Sequence, residues 1–523
     1  MKLEIYDCTL REGEQAEGAS FSLEDRITLC KLLDDFGVDY IELGWPVTNQ
    51  EIKQSFKIAQ KEVKNAKIVA FGSTSIHQDP YQDKNLNSIL ETGVKYACIF
   101  GKTDKQHIEN QLRITPDENL EKIYQSIKFL KNQGLNVFYD AEHFFDAYKK
   151  DSDYAINTIT KAIEAGAERI VLCDTNGGCL PDEVKKITQE TKEILVSKGL
   201  ETILGTHFHN DCNLALANTL ATLPYIGQVQ GTINGIGERI GNLNLSEFLP
   251  IYILKLQNQL NINLQDLTEL NEDSFRLCGI PMPEKRAFVG YSAFAHSGGV
   301  HIDAEGKGAS YTHMDPTLVG NKSRIVLNSG GGRSAVIQIA KKFGYELQKQ
   351  DPEVQEKIEV LFNELKEYEK VGYRAGLLRA EQYLLLDKYF GSNEKLFEVK
   401  AWDIESARDL QGHETSTFYG LFDLDNKLQD KRLPINGGPV DAAFNTFKKI
   451  LKEKYPQVNS LHLTNFNTGI ARWSEEQSTV RTKISFKNGE EFSTVGVDGN
   501  MIGASVKALE KGFRYHLLKK GYK

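Results

Sequence analysis

The stretch TPDENLEKIYQSIKFLKNQGLNVFYD, Thr115–Asp140, decides the fold. Thr115, Pro116 and Glu118 supply a helix N-cap, a first-turn proline and a capping-box glutamate. Leu120, Ile123, Ile127 and Leu130 then recur at helical spacing on one face, and Gly134 ends the segment. NVFYD, from Asn136, follows at once as a short apolar run that reads as a buried strand. The stretch is therefore a helix with one apolar face, lying against a sheet and feeding the next strand.

The same alternation extends in both directions. Strand-like runs are LEIYD from Leu3, DYIEL from Asp39, KIVAFG from Lys67, KYACIF from Lys95, NVFYD from Asn136, RIVLC from Arg169, ILGTHFH from Ile203 and QVQGTI from Gln228. Eight βα units within about the first 250 residues favour a closed (β/α)8 barrel over an open doubly wound sheet. The expected class is α/β, with the barrel over 1–275, a helical linking subdomain over 276–393 and a C-terminal α+β domain over 394–523. The last part repeats itself: Ile435-Asn436-Gly437-Gly438-Pro439-Val440-Asp441-Ala442 matches Val497-Asp498-Gly499-Asn500-Met501-Ile502-Gly503-Ala504. Helix N-termini behind such turns could hold a small carboxylate, or the duplicated module could serve dimerisation and packing.

Composition narrows the function. The 523 residues are 40% hydrophobic and 26% charged, ordinary values for a globular chain. A net charge of −9 leaves no basic footprint for nucleic acid or an anionic membrane. No apolar run is long enough to span a bilayer, and the charged start MKLEIYDCTLREGEQ lacks a signal-peptide core, so a soluble cytoplasmic protein is expected. The seven cysteines are scattered and contain no CxxC pair, which argues against a disulfide framework or a zinc finger.

In a barrel of this kind the chemistry sits at the C-terminal ends of the strands, and the polar residues cluster there. His207 and His209 are two apart on a strand, so both imidazoles face the same side and can reach one ion. Glu12 follows the first strand. Two neutral imidazoles and one carboxylate leave open positions around a divalent ion such as Mn²⁺, Mg²⁺, Zn²⁺ or Co²⁺. Asn242 is a possible further oxygen ligand. Arg11, beside Glu12, is the fixed cation that an oxyanion formed from a ketone would need; the alternative is a salt bridge to Glu14, Glu42 or another barrel carboxylate.

Together, Asp7-x-Thr9-Leu10-Arg11-Glu12-Gly13-Glu14-Gln15, His207-x-His209-Asn210-Asp211 and Gly235-x-Gly237-Glu238-Arg239-x-Gly241-Asn242 resemble the acetyl-CoA-dependent condensing enzymes of the 2-isopropylmalate, homocitrate and citramalate synthase family. The resemblance continues through Phe138–Asp146, Leu172–Gly178, Ala293–His301 and Asp315–Asn321, and is nearest to the citramalate branch. It implies a Claisen-type condensation of acetyl-CoA with a metal-chelated 2-oxo acid, followed by thioester hydrolysis. With pyruvate as acceptor the product is (R)-citramalate, on a route to isoleucine. By the same resemblance Glu142 and His301 form the acid/base pair, and Tyr311 serves the hydrolytic step. Gln15, His107 and Thr175 meet the substrate, and His301 reaches across to a partner subunit, implying a homodimer. The C-terminal repeat is similar to the family's regulatory domain, so isoleucine or leucine is the expected effector.

Glu12 stands where citramalate and isopropylmalate enzymes usually carry aspartate and homocitrate enzymes glutamate. Cys8, Leu43, Ser75 and Ile76 also depart from the citramalate pattern. Two other readings stay open: the same condensation with 2-oxoisovalerate or 2-oxoglutarate, or a non-catalytic amino-acid sensor.

Overall fold

In the computed structural model, residues 2–297, 311–373, 378–392, 394–473 and 478–519 are described. The chain forms two compact units, Met1–Phe294 with Met314–Lys322 and Ala295–His313 with Ser323–Lys523. Among the described residues no helix is long and apolar enough to cross a membrane.

The first unit is a closed barrel of eight parallel strands in sequential order: β1 (Glu4–Asp7), β2 (Tyr40–Gly44), β3 (Lys67–Ser73), β4 (Tyr96–Lys102), β5 (Asn136–Glu142), β6 (Arg169–Asp174), β7 (Ile203–Phe208) and β8 (Gln228–Gly231). Closure comes from β1 against β8, with Glu4 opposite Gln228 and Asp7 opposite Gly231. The barrel expected from the alternating runs is the one observed. The helix read from Thr115 spans Pro116–Asn132, and the Thr115–Glu118 capping box satisfies its first N–H groups. Its buried face includes Ile123, Ile127 and Leu130, packed on the outside of the sheet.

Inside the barrel the side chains lie in layers. At the N-terminal end Arg169 grips the Glu4 carboxylate through two hydrogen bonds of 2.9 Å. Above it Tyr6, Tyr40, Tyr96 and Phe138 pack edge-on or tilted, with ring centroids 5.1–6.2 Å apart. Burying each such ring is worth about 1.5–3 kcal/mol, so this layer is a rigid apolar floor. The C-terminal mouth above it is polar.

The second unit holds a two-stranded pairing of β9 (Ala295–His296) with β10 (Arg324–Ile325), and helices over Arg333–Lys342, Pro352–Val371 and Arg379–Phe390. Two antiparallel three-stranded sheets follow: β11 (Glu398–Arg408), β12 (Glu414–Leu424) and β13 (Lys427–Asn436), then β14 (His462–Arg472), β15 (Thr479–Asn488) and β16 (Glu490–Asp498). Each sheet ends in a helix, Pro439–Leu451 and Met501–Lys519, whose apolar faces share one core with Phe418, Phe422, Ile484 and Phe486. The duplication read from residues 435–442 and 497–504 is thus a repeated βββα module. Its two turns differ in detail. Gly438 precedes Pro439 in the first, whereas the Asn500 side chain accepts the Ile502 N–H at 2.7 Å in the second.

Candidate metal centre

A tight turn after β1 aims Arg11 and Glu12 back over the mouth. The Asp7 carboxylate accepts the Thr9 N–H at 3.0 Å and the Thr9 hydroxyl at 2.7 Å, while the Thr9 oxygen accepts the Ile233 N–H at 2.8 Å. These bonds stitch the β1 turn to the loop after β8. Full burial pushes the Asp7 carboxyl up to about 7 despite the Thr9 donors.

The loop after β8 returns to β7. Leu243 N–H donates to Phe208 O at 2.9 Å and Asn210 N–H to Gly241 O at 2.8 Å, which sets Asn242 opposite His209. Glycine is required there: a Cβ on Gly237 would stand 2.0 Å from Asn242 Oδ1, and Gly241 has φ +99° with its Cβ position 1.9 Å from Gly235 O.

The result is a buried cluster. Glu12, His207 and His209 are 3%, 5% and 6% exposed, and each offers a ligand atom within 4.8 Å of the others'. His209 Nε2 lies 3.6 Å from Glu12 Oε1. Burial first, then Arg11, lowers the His207 imidazole to about 4. Burial, then His207 and Arg239, lowers His209 to about 2. Both rings are therefore neutral at physiological pH, the form that binds metal. His209 Nδ1 and Asn242 Oδ1 are buried and make no hydrogen bond. Such orphaned polar atoms cost free energy unless something satisfies them, and a divalent cation with nitrogen and oxygen ligands fits this set. The three ligands read from the strand ends, with Asn242 beside them, are brought together.

Arg11 is nearly buried. Its guanidinium bonds both Glu12 and Glu42 and lies 3.8 Å above the Phe71 ring centroid. The Glu42 ion pair foreseen as the alternative is thus present, with Glu12 as a second partner; Glu14 pairs with Arg26 instead. Burial opposes the charge on Arg11, but Glu42 and neighbouring groups outweigh it and hold the guanidinium ionised. Tyr6 donates its hydroxyl to the same Glu42 carboxylate.

A second group lies at the ends of β4, β5 and β6. Glu142 is ion-paired with Lys102 at 2.6 Å. His143, at φ +58°, donates its backbone N–H to Thr175 Oγ1 at 2.9 Å, and its ring stacks on His107 with centroids 4.2 Å apart. Burial, only partly offset by Glu142, lowers the His143 imidazole. Arg239 braces the rim with bonds of 2.8 and 2.9 Å to Asp211 and 2.8 Å to Thr175 O. Glu142, His107 and Thr175 therefore fall at neighbouring strand ends. Gln15 is exposed on the short turn Gly13–Gln15. Tyr311 belongs to the second unit and is 52% exposed, and His301 lies outside the described residues.

Sequence reasoning passed over Lys102, Asp140, His143 and Gln230 as site residues. Lys102 lies two residues beyond the KYACIF run, but only the strand register, Lys102 beside Glu142, gives the lysine its partner.

Comparison with known proteins agrees with this geometry. The HMGL-like family matches residues 2–273, the homocitrate synthase post-HMGL domain-like family residues 288–370, and the LeuA allosteric (dimerisation) domain residues 379–517. The (R)-citramalate synthase of Aquifex aeolicus is 39% identical over 99% of this chain and 98% of its own. That of Sulfolobus acidocaldarius is 38% identical over 98% and 97%. The 2-isopropylmalate synthase of Sulfurisphaera tokodaii is 31% identical over 72% of this chain and 93% of its own.

Proposed function

This chain belongs to the HMGL-like family, in its citramalate synthase branch, and from that premise we propose that it condenses acetyl-CoA with pyruvate and hydrolyses the thioester, giving (R)-citramalate and CoA. The observation that carries the reading is the buried Glu12, His207 and His209 cluster with Arg11 against it. A divalent cation held by these three residues and Asn242, Mn²⁺, Mg²⁺, Zn²⁺ or Co²⁺, would supply Lewis acidity toward the 2-oxo acid. Arg11 offsets the negative charge that develops on the ketone oxygen as the new carbon–carbon bond forms. Its bonds to Glu42 and Glu12 hold the guanidinium in place beforehand, so little reorganisation is needed. Glu142 and His301 are the acid/base pair that takes a methyl proton from the acetyl group, and Lys102 fixes the Glu142 carboxylate. Thr175, His107 and Gln15 orient the substrate from the rim, and Tyr311 serves the hydrolytic step. Balance requires one water per turnover, which leaves the acetyl carbonyl as a free carboxylate.

The homodimer and the regulation by isoleucine or leucine belong to the same proposal, supported by the match to an allosteric dimerisation domain over 379–517. Calorimetry of the full chain with each amino acid addresses the effector. The test of the activity is thiol release from acetyl-CoA with Mn²⁺ across pyruvate, 2-oxobutyrate, 2-oxoisovalerate and 2-oxoglutarate. Pyruvate is expected to give the highest kcat/KM. Preference for 2-oxoisovalerate or 2-oxoglutarate moves the chain to a sister reaction, and silence with every acceptor supports a sensor.

A further inference from the structure

We propose that Gln230 is a positioning residue that sets the ligating tautomer of His207 through a chain of hydrogen bonds running from Asp140. The inference rests on the reading that Glu12, His207 and His209 hold a divalent cation.

Gln230 lies on β8 inside the barrel and is 1% exposed. Its Nε2 donates to Asp140 Oδ1 at 3.2 Å, and its Oε1 stands 2.9 Å from His207 Nδ1. The Asp140 oxygen accepts the amide N–H, so the carbonyl end of Gln230 must face His207. A carbonyl oxygen can only accept, so Nδ1 must carry the imidazole proton. On the other side of the ring the Asn242 amide nitrogen lies 3.0 Å from His207 Nε2, and an amide nitrogen can only donate. Both contacts give the same answer: Nδ1 is protonated, and Nε2 is the unprotonated nitrogen, its lone pair accepting from the Asn242 amide until a cation takes that place. Cys98 adds a further donor to Asp140 Oδ1 at 3.1 Å, so the relay is anchored well below the mouth.

The sequence explains why this residue does the work. β7 and β8 pair in parallel with His207 beside Gln230, and both side chains point into the barrel. Among the described residues Gln230 is the hydrogen-bond partner of His207 Nδ1, and it orients the ring from this side. A residue that fixes ring orientation and tautomer in this way typically changes metal affinity 10- to 100-fold when removed.

The test is Mn²⁺ titration of the metal-stripped full chain by calorimetry, with the Co²⁺ absorption spectrum as a second readout. Gln230→Met keeps the volume and removes the amide. It is expected to bind Mn²⁺ about 10- to 100-fold more weakly and to shift the Co²⁺ bands, with the melting temperature of the stripped protein close to wild type. Gln230→Glu keeps an oxygen acceptor opposite Nδ1, and a proton shared with the Asp140 carboxyl stands in for the lost amide donor, so affinity is expected to return to within a few-fold. A Met variant that binds Mn²⁺ like wild type, or a Glu variant as weak as the Met variant, overturns the proposal. Failure of the wild-type chain to bind any divalent ion overturns both this proposal and the metal reading. Wild-type binding without citramalate formation would count against the substrate reading alone.

Discussion

Lys102 Nζ lies 2.6 Å from a carboxylate oxygen of Glu142, and the parallel register of β4 and β5 sets the two residues side by side. Lys102→Met leaves that carboxylate without its cation and free to drift from its working position, which should lower kcat by about 10- to 100-fold. Glu142→Gln should slow condensation by about 10²- to 10⁴-fold. Neither residue is a ligand, so both variants should bind Mn²⁺ like wild type in a calorimetric titration. Loss of metal together with turnover would refute the assignment.

Arg11 pairs with two carboxylates at once, Glu12 and Glu42, and stacks on Phe71. A lysine has neither the planar fork nor the ring-stacking face, so Arg11→Lys should not be a mild change. The expected loss in kcat is about 10²- to 10³-fold, the scale of removing one oxyanion donor. Arg11→Met should also lower the melting temperature, because Glu42 is left buried without its cation. Steady-state kinetics and thermal unfolding of the two variants check both points; a lysine variant with wild-type kcat would remove Arg11 from the reaction.

Asp7 supplies a pH signature. Burial raises its carboxyl to about 7 in the folded chain, well above the unfolded value near 3.9. Between these values the folded state binds more protons than the unfolded state, so this group's contribution falls as pH rises from about 4 to 7 and then levels off. Asp7→Asn does not titrate. The melting temperature deficit of the variant should therefore be larger at pH 5 than at pH 8, and an equal or reversed deficit would show that Asp7 folds as an ordinary carboxylate.

Much of this molecule is legible in the chain. The barrel follows from strands and helices whose periodicities are strong and whose caps, such as Thr115 with Glu118, are local. The His207, His209 and Glu12 cluster follows from alternation along one strand and the rule that strand ends face the site. The Arg11 environment was only half legible, because Glu42 was one of several carboxylates within plausible reach. The Lys102–Glu142 pair and the Asp140–Gln230–His207 relay could not be read at all, because each depends on the register between neighbouring strands. Register is set by three-dimensional packing rather than by spacing within one segment. The fine difference between the two C-terminal turns was likewise hidden, since it rests on which side chain caps the helix.

Acyl transfer onto pyruvate takes place at the Glu12, His207 and His209 centre in the proposed reaction. Its most direct test is to strip the protein of metal, add Mn²⁺ back in steps with acetyl-CoA and pyruvate present, and follow CoA and citramalate together, with His207→Ala in parallel. The stripped protein is expected to be silent, CoA and (R)-citramalate to rise in equal amounts as the ion is restored, and His207→Ala to recover neither metal nor turnover. Citramalate formation by the stripped protein, or by a His207→Ala variant at the wild-type rate, would contradict it.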